Sequence, residues 1–273
     1  GLDPVVNGRV VLDGTDVSAL PPEKRRIGLV FQDHALFPHR RVEQNIAFGL
    51  TNLDRAARAR RVDELLELVR LPGVGKRYPH ELSGGEQQRI ALARALAPDP
   101  AVVLLDEPFA SLDPSLRDEV RTDVIDALRL RNAAAVLVTH DREEALALGD
   151  RVAVMSDGRM LQIDRPDEVY ERPSDRFVAT FLGEASFLVD PDDPSHAMMA
   201  RPHDLSLVVE DGGDDRVVAR RYLGAAWRYS VRRADGTDVD VDLAGGPGSV
   251  PLSVGDACTV VVDAGHPLHR LPA

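Results

Sequence analysis

Acidic and histidine side chains directly follow two apolar runs in the middle of the chain. AVVLLDEP places Asp106 and Glu107 after the first run, and VLVTHD places His140 after the second. Ligands of α/β sheets bind at the carboxyl ends of buried strands. There an aspartate oxygen suits Mg²⁺, a glutamate can orient and deprotonate water, and a histidine can hold a phosphate or that water. An exposed acidic turn and a structural histidine are the alternatives.

A glutamine ends a third apolar run. Gln32 closes IGLVFQ, and its side-chain amide offers both a donor and an acceptor. It can therefore reach Mg²⁺ or an attacking water, although a lone glutamine in this position is usually just a polar strand end.

The stretch LSGGEQQR, followed by the apolar run IALARALA, predicts a helix over 84–97 that opens with two glycines. Gly84 and Gly85 let a backbone approach a phosphate without a steric clash, and the helix N-terminus adds partial positive charge. The alternative is a purely structural N-terminal box, with Ser83 as N-cap and Glu86 at the third helical position.

Taken in order, these motifs resemble the nucleotide-binding subunits of ABC transporters over residues 1 to about 184. Gln32 matches the Q-loop, LSGGEQQR the signature, AVVLLDEP the Walker B strand, SLD the D-loop ending at Asp113, and His140 the switch histidine. The stretches LPPEKRRIGLVFQDHALFPH and FLGEASFL further resemble importer ATPases for ferric iron, polyamines or sulfate.

The resemblance implies roles for individual residues of an ATP-hydrolysing motor subunit with ATP and Mg²⁺ as cofactors. Glu107 is then the catalytic base, and His140 and Gln32 position the water and Mg²⁺, which Asp106 also supports. The remaining site residues would close over the ATP of a second subunit, in a dimer that is expected to be a homodimer; they are Ser83, Gly84, Gly85, Gln87 and Asp113.

One departure concerns the phosphate loop, GxxxxGK[ST], which this family carries just before GLDPVVNGRV. Its lysine would fall upstream of Gly1, and Gly75-Lys76 is followed by Arg77 and does not fit the pattern. We therefore expect a chain truncated before the Walker A loop, nearly inactive alone, that lends its half of the site to a partner. A soluble ABC ATPase without a transport role and an inactive regulatory remnant are the alternatives.

Further partners follow from the same resemblance. It places the contact with the transmembrane permease subunits at about 33–50, where Phe37, Pro38 and Phe48 can dock a short helix or simply pack the helical subdomain. Arg40-Arg41 stands where relatives usually have Leu-Thr. The expected location is the cytoplasmic face of the membrane, as a peripheral protein, with only indirect contact to a solute-binding protein. Ferric iron is the favoured solute, with polyamine or sulfate next.

The elements that must position these residues alternate. Buried strands AVVLLD and AAAVLVTH are separated by the helix SLRDEVRTDVIDALRLR, which favours a mostly parallel sheet. Short strands are expected over 9–13 and 27–31, a helix over 53–71, and a hairpin turning at Asp157-Gly158. With the resemblance, the fold class is α/β, a P-loop NTPase-type nucleotide-binding domain with a helical subdomain.

After the polar linker PDDPSH the chain becomes a series of short valine-rich strands with Gly and Asp turns. This pattern of short strands and turns predicts a small all-β module. The resemblance implies that it is of the OB or TOBE type. The predicted domains are 1–184, the nucleotide-binding domain, and 185–273, a regulatory β-barrel-like module.

The formal net charge of −12 disfavours a nucleic-acid partner, since such proteins usually carry a basic face. The one cysteine, Cys258, excludes an internal disulfide and a cysteine-built metal cluster.

Overall fold

The computed structural model describes residues 6–190, 192–193, 195–210, 212–245, 252–263, 265 and 268–272. The chain divides into two compact units between Asp141 and Arg142. The predicted domain boundary, between residues 184 and 185, lies at a different position and stays a prediction.

The first unit alternates short strands with helices. Its elements are β1 (Val11–Leu12), β2 (Thr15–Asp16), β3 (Ile27–Val30), α1 (Val42–Ile46), α2 (Arg55–Leu68), α3 (Gly84–Leu96), β4 (Val102–Asp106), α4 (Pro114–Leu130) and β5 (Ala134–Val138), with 3₁₀ turns at Pro22–Lys24, Ala47–Gly49, Val74–Lys76 and Pro79–Glu81.

Strands β3, β4 and β5 form a parallel sheet in that order, as the alternation of strands and helices predicts. Helix α3 packs on β3, and Gly28 permits the close approach, since a Cβ there would lie 2.8 Å from the carbonyl oxygen of Ala95. The apolar run of α3 accordingly lies inside, with Ile90 and Leu92 both fully buried. Burial of this face, more than helix propensity, stabilises α3.

The predicted strand over 9–13 is shorter in the structure. Only Val11–Leu12 forms a strand, paired antiparallel with β2. Asp13 and Gly14 between them have φ of 47° and 73°, the left-handed pair that a two-residue hairpin turn requires. The chain therefore reverses within the stretch that the sequence pattern assigns to one strand.

The second unit begins with helix and hairpin elements and continues as β-structure. Its elements are α5 (Arg142–Leu148), β6 (Val152–Ser156), β7 (Arg159–Asp164), α6 (Pro166–Glu171), α7 (Arg176–Leu182), β8 (Ser186–Val189), β9 (His196–Ala200), β10 (Leu205–Val209), β11 (Asp215–Tyr222), β12 (Ala226–Arg232), β13 (Asp238–Ala244), β14 (Ala257–Val262) and β15 (His269–Pro272), with a 3₁₀ turn at Pro202–Asp204.

The hairpin predicted at Asp157-Gly158 is present as β6–β7, with φ of 49° and 73° at the two turn residues. Beyond it, β10-β14-β11-β12-β13 form an antiparallel sheet and β15-β9-β8 a smaller one. They enclose a core that includes Val231, Val241 and Cys258, all fully buried. The predicted all-β module is therefore present.

Arg201 ties the helices of the second unit to its β-structure. The side chain is 2% exposed. Its guanidinium donates to the carbonyl oxygens of Ala179 at 2.8 Å, Glu184 at 3.1 Å and Tyr170 at 2.7 Å. Burial lowers the pKa of Arg201, and the three carbonyls and the Tyr170 ring compensate for the water it has lost.

Candidate functional site

The carboxyl ends of β3, β4 and β5 lie at one edge of the parallel sheet. Val30 pairs with Leu105 and Asp106 with Val138. Four predicted site residues lie at these ends: Asp106, which is the last residue of β4, and Gln32, Glu107 and His140, which come one or two residues after a strand. We call this group the strand-end edge. The sequence predicts these residues at one edge, and the register of the strands places them there.

Within the strand-end edge, Glu107 and His140 are in direct contact. Glu107 Oε1 lies 3.2 Å from His140 Nδ1, and the two side chains are 32% and 72% exposed. An Nδ1–H would donate to the carboxylate and leave Nε2 as an acceptor. The pair thus combines a carboxylate and an imidazole, both open to an incoming ligand.

The backbone of Glu107 is unusual. Its φ is +42°, and its N–H donates to the carbonyl of Val138 at 2.9 Å. A left-handed conformation at a residue other than glycine is uncommon and occurs often at functional sites. Here the hydrogen bond to the end of β5 holds the conformation that brings Glu107 to His140.

Helix α3 begins at Ser83, Gly84 and Gly85, which we call the glycine start. Ser83 Oγ accepts from the backbone N–H of Glu86 at 3.3 Å, and Glu86 Oε2 accepts from that of Ser83 at 2.8 Å. The structural alternative, an N-terminal box, is therefore correct as a description of the local structure. This box keeps Gly84 exposed, although Gly85 is buried, so it is compatible with phosphate binding at the backbone of Gly84.

The predicted contact residues Gln87 and Asp113 have intramolecular partners. Gln87 Nε2 donates to the carbonyl of Leu82 at 3.1 Å and so fixes the loop before α3. Asp113 caps α4, accepting from the N–H of Ser115 at 2.9 Å and from its hydroxyl at 2.6 Å. The hydrogen bonds from Ser115 lower the pKa of Asp113, so this exposed carboxylate is charged at neutral pH.

The glycine start packs against the following motif and helix. A Cβ on Gly84 would lie 3.9 Å from Leu112, and one on Gly85 would lie 3.0 Å from Val120 of α4. Between α3 and α4, Arg89 pairs with the buried Asp123 at 3.0 Å. The sequence motif contains Arg89 but gives no sign of this partner.

The loop that follows β3 is held by α3. His34 and Ala35 have φ of 63° and 46°, and Arg94 donates to their carbonyls at 2.9 Å and 2.6 Å. His34 is 7% exposed; burial lowers its pKa, while the backbones of Asp33 and Gly84 raise it. Neither His34 nor Arg94 is recognisable from the sequence as part of this contact, because nothing in the pattern shows which arginine turns toward these carbonyls.

The segment over 33–50, predicted to contact a permease, carries two neighbouring phenylalanines. The ring centroids of Phe37 and Phe48 lie 4.7 Å apart, and Phe48 is 52% exposed. We call them the aromatic pair. The fully buried Asn45 fixes the loop before α1, accepting from the N–H of Phe37 at 2.8 Å and donating to the carbonyl of Arg40 at 3.1 Å. Asn45 therefore fixes the loop that carries Phe37, while Phe48 lies in the 3₁₀ turn after α1.

None of the helices in the described part of the chain is long and apolar enough to span a membrane. Nor do the described residues include three or more His, Cys, Asp or Glu side chains grouped to hold a metal ion.

The fold is that of an ABC-type nucleotide-binding domain followed by a TOBE module. It combines the parallel strands and the helix that opens with glycines with a separate β-module. The ABC transporter family matches residues 1–110, and the TOBE domain family matches 198–268. The chain belongs to the import ATP-binding proteins of the ABC transporter family.

Three similar curated proteins differ in their solutes. The chain is 52% identical over 190 residues to a spermidine/putrescine import ATP-binding protein of Pseudomonas fluorescens, covering 69% of this chain and 53% of that protein. It is 45% identical over 236 residues (86% and 68%) to a sulfate/thiosulfate import ATP-binding protein of Nocardia farcinica. It is 40% identical over 273 residues (89% and 77%) to an Fe(3+) ions import ATP-binding protein of Rhizobium meliloti. The chain thus spans about half the length of the first of these relatives and more of the other two.

Among solved structures, the chain resembles the ATP-binding cassette MJ0796, solved as a dimer in a post-hydrolysis state with ADP and Pi. The TM-score is 0.52 at 29% identity, and the match covers 60% of this chain and 76% of that one. The similarity confirms the fold of an ABC ATPase.

Proposed function

We propose that the protein is the ATP-binding and ATP-hydrolysing subunit of an ABC importer. The contact of 3.2 Å between Glu107 Oε1 and His140 Nδ1 is the observation that carries this proposal. It places a base and a group able to hold water or phosphate together at the sheet edge where α/β proteins bind their ligands.

At the strand-end edge, Glu107 would orient and deprotonate the water that attacks the terminal phosphate. His140 would accept a hydrogen bond from that water at Nε2, or, in its imidazolium form, donate from Nε2 to a phosphate oxygen. Gln32, at the end of the neighbouring strand, would contribute its amide to the same arrangement. Positioning and electrostatics account for most of the catalysis of such a reaction.

The glycine start would serve a second subunit. Ser83, Gly84 and Gly85 would close over the partner's nucleotide, and the exposed Gly84 would offer its backbone N–H to the phosphates. Gln87 and Asp113 support this surface from either side, through the loop before α3 and the start of α4. The dimer in which the similar cassette was solved, bound to ADP and Pi, supports a paired arrangement.

The oxygen atoms at the strand-end edge suit Mg²⁺, which prefers carboxylate and carbonyl oxygens. Asp106, at the exposed end of β4, and the amide oxygen of Gln32 would hold it, directly or through water. When bound, Mg²⁺ would offset the negative charge of the phosphates.

The partner subunits would be transmembrane permeases that contact the segment over 33–50, which places the protein peripherally at the cytoplasmic face of the membrane. The exposed side of the aromatic pair supports this, because an exposed aromatic can anchor a short helix in a groove. A solute-binding protein would take part only indirectly.

Among possible solutes we favour ferric iron, with polyamine and sulfate as the alternatives. The relative that aligns over 89% of this chain and 77% of its own length is an Fe(3+) ions import ATP-binding protein. Uptake of radioactive iron, spermidine and sulfate by cells with and without the gene would distinguish the three.

The test is ATP turnover by a form of the protein that includes a phosphate loop before Gly1, assembled with its permease in liposomes, because the chain without that loop is expected to be nearly inactive. Glu107→Gln should lower the rate of phosphate release by about 100-fold or more, as expected for the loss of a general base. Glu23→Gln, in the first 3₁₀ turn, removes one carboxylate charge elsewhere and should leave the rate unchanged. Turnover unaffected by Glu107→Gln would remove Glu107 from its proposed role.

A protein found with ribosomes or DNA, and never with a permease, would instead support the non-transport alternative.

A further inference from the structure

His34 is a buried histidine whose ring has an unsatisfied nitrogen. The residue is 7% exposed, and its Nε2 has no hydrogen-bond partner among the described residues. Buried polar side-chain atoms nearly always have a partner, so an unpartnered one calls for an explanation. The explanation must lie in what surrounds the ring.

The backbone of His34 closes the turn that carries Gln32. Its N–H donates to the carbonyl oxygen of Phe31 at 3.0 Å, and Gln32 lies between these two residues in the chain. Its carbonyl oxygen accepts from Arg94 of α3 at 2.9 Å. Neither hydrogen bond involves the imidazole, so the backbone fixes the origin of the side chain and leaves the ring nitrogens for other partners.

The side chain of His34 reaches the glycine start. Burial has the largest effect on its pKa and lowers it, whereas the backbones of Asp33 and Gly84 raise it. A backbone group raises the pKa of a base by accepting a hydrogen bond from the protonated form, so the carbonyl oxygen of Gly84 faces the ring. The neutral imidazole that burial favours still has one N–H to donate to such an oxygen.

The other histidines of the first unit are placed differently. His39, His80 and His140 are all exposed, and His140 contacts Glu107 at the strand-end edge. His34 is the buried histidine of this unit, and it lies between the turn that carries Gln32 and the first residue of α3. It therefore joins one residue from each half of the proposed site.

We propose that His34 is a positioning residue, whose imidazole donates a hydrogen bond to the backbone carbonyl of Gly84 when two subunits close over ATP. The inference rests on the proposed function, in which Gln32 serves the nucleotide at the strand-end edge and Gly84 the partner's nucleotide. The hydrogen bond fixes the separation of Gln32 and Gly84, and it satisfies the buried ring. His34 itself contacts neither the nucleotide nor the attacking water.

ATP turnover tests this role, in a form of the protein that includes a phosphate loop before Gly1 and is assembled with its permease. His34→Leu fills the space without a donor and should lower kcat by about 10-fold or more, since small displacements of positioning groups slow catalysis strongly. His34→Gln keeps an N–H donor and should turn over ATP at close to the parent rate.

The two substitutions are matched in backbone strain. The φ of residue 34 is 63°, a conformation that neither leucine nor glutamine favours, so a difference between the variants reports the donor. His80→Leu, at an exposed histidine of the 3₁₀ turn before α3, is the control and should match the parent.

ATP affinity and stability separate positioning from folding. The affinity of the isolated subunit for ATP, measured by titration calorimetry, should be the same in the parent and both variants, because Gly84 meets only the partner's nucleotide. Urea unfolding measures their stabilities. Equal losses of turnover in His34→Leu and His34→Gln, or losses that follow stability, would show a merely structural role and overturn the proposal.

The ring nitrogens of His34 provide a test that needs no change at this residue. In Glu107→Gln, which should keep ATP bound in the closed dimer, the ¹⁵N chemical shift of Nε2 should move toward its hydrogen-bonded value when ATP and Mg²⁺ are added. A dimer that forms with this shift unchanged would overturn the positioning role and leave the proposed function standing. A parent protein that hydrolyses no ATP with its permease would contradict the proposed function, and the role of His34 with it.

Discussion

The glycine start and the strand-end edge carry the two halves of the proposed chemistry, and they are built in different ways. The glycine start is fixed by residues three apart in the chain, Ser83 and Glu86, and by packing on α4. The strand-end edge joins Glu107 to His140 only because β4 and β5 pair. A change at the first should therefore alter stability as well as activity, whereas a change at the second should alter catalysis with little effect on stability.

The largest effect should follow replacement of His140. In the permease-bound form that includes a phosphate loop, His140→Ala should lower ATP turnover by about 100-fold, within the usual contribution of a positioned acid–base group. The free energy of unfolding should change by less than about 0.5 kcal/mol, because the side chain is 72% exposed and surface substitutions are usually mild. Phosphate release and urea unfolding measure the two quantities. A large loss of stability would instead show that His140 has a structural role.

An intermediate effect should separate the two glycines. Gly85→Ala puts a methyl group 3.0 Å from Val120, whereas Gly84→Ala meets Leu112 at an ordinary 3.9 Å. We expect Gly85→Ala to unfold about 1–3 kcal/mol more easily than Gly84→Ala, the typical cost of overpacking.

Urea denaturation of the two variants measures this difference. Val120→Ala in the Gly85→Ala background should recover part of it, since it removes the group that the new methyl contacts. Equal stabilities of the two variants would mean that α4 accommodates the new methyl group at no cost in the free energy of unfolding.

The smallest effect concerns pH. The hydrogen bond from the Ser83 backbone N–H lowers the pKa of Glu86 below its ordinary value of 4.5. A lowered pKa in the folded state means that this stabilisation is complete above the unfolded pKa and is lost as pH falls through the folded one. Glu86→Gln removes this titration and keeps an acceptor oxygen.

The stability difference between the parent and Glu86→Gln should therefore be constant from pH 7 to about pH 5 and shrink at lower pH. Urea unfolding across this range measures it. A difference that grows on acidification would contradict the lowered pKa.

The parts of the fold that the sequence predicts are those set by local pattern. Apolar runs predict β4, β5 and α3, and Asp157-Gly158 predicts the turn between β6 and β7. Each signal lies within the element that it specifies, so neighbouring residues are sufficient to detect it.

The parts that sequence reasoning misses depend on distant partners. Arg94 reaches carbonyls about 60 residues earlier in the chain, and Arg40 and Arg41, adjacent and chemically identical, turn to different surroundings. Side-chain direction in such cases follows from packing of α1 and α3, which residue type does not encode. The Glu107–His140 contact is intermediate, because the strand ends are predictable and the left-handed backbone of Glu107 is not.

The hydrogen bonds of Arg94 have a mechanical consequence. Gly84 and Arg94 belong to the same helix, ten residues apart, which at the α-helical rise is about 15 Å. Near the C-terminal end of the helix, Arg94 donates hydrogen bonds to the carbonyls of His34 and Ala35, beside the aromatic pair. The N-terminal end of the helix is the glycine start. A displacement of that loop must either break both hydrogen bonds or carry α3 with it. Because the helix that holds this loop also begins with Gly84 and Gly85, the loop beside the aromatic pair and the glycine start share one structural support.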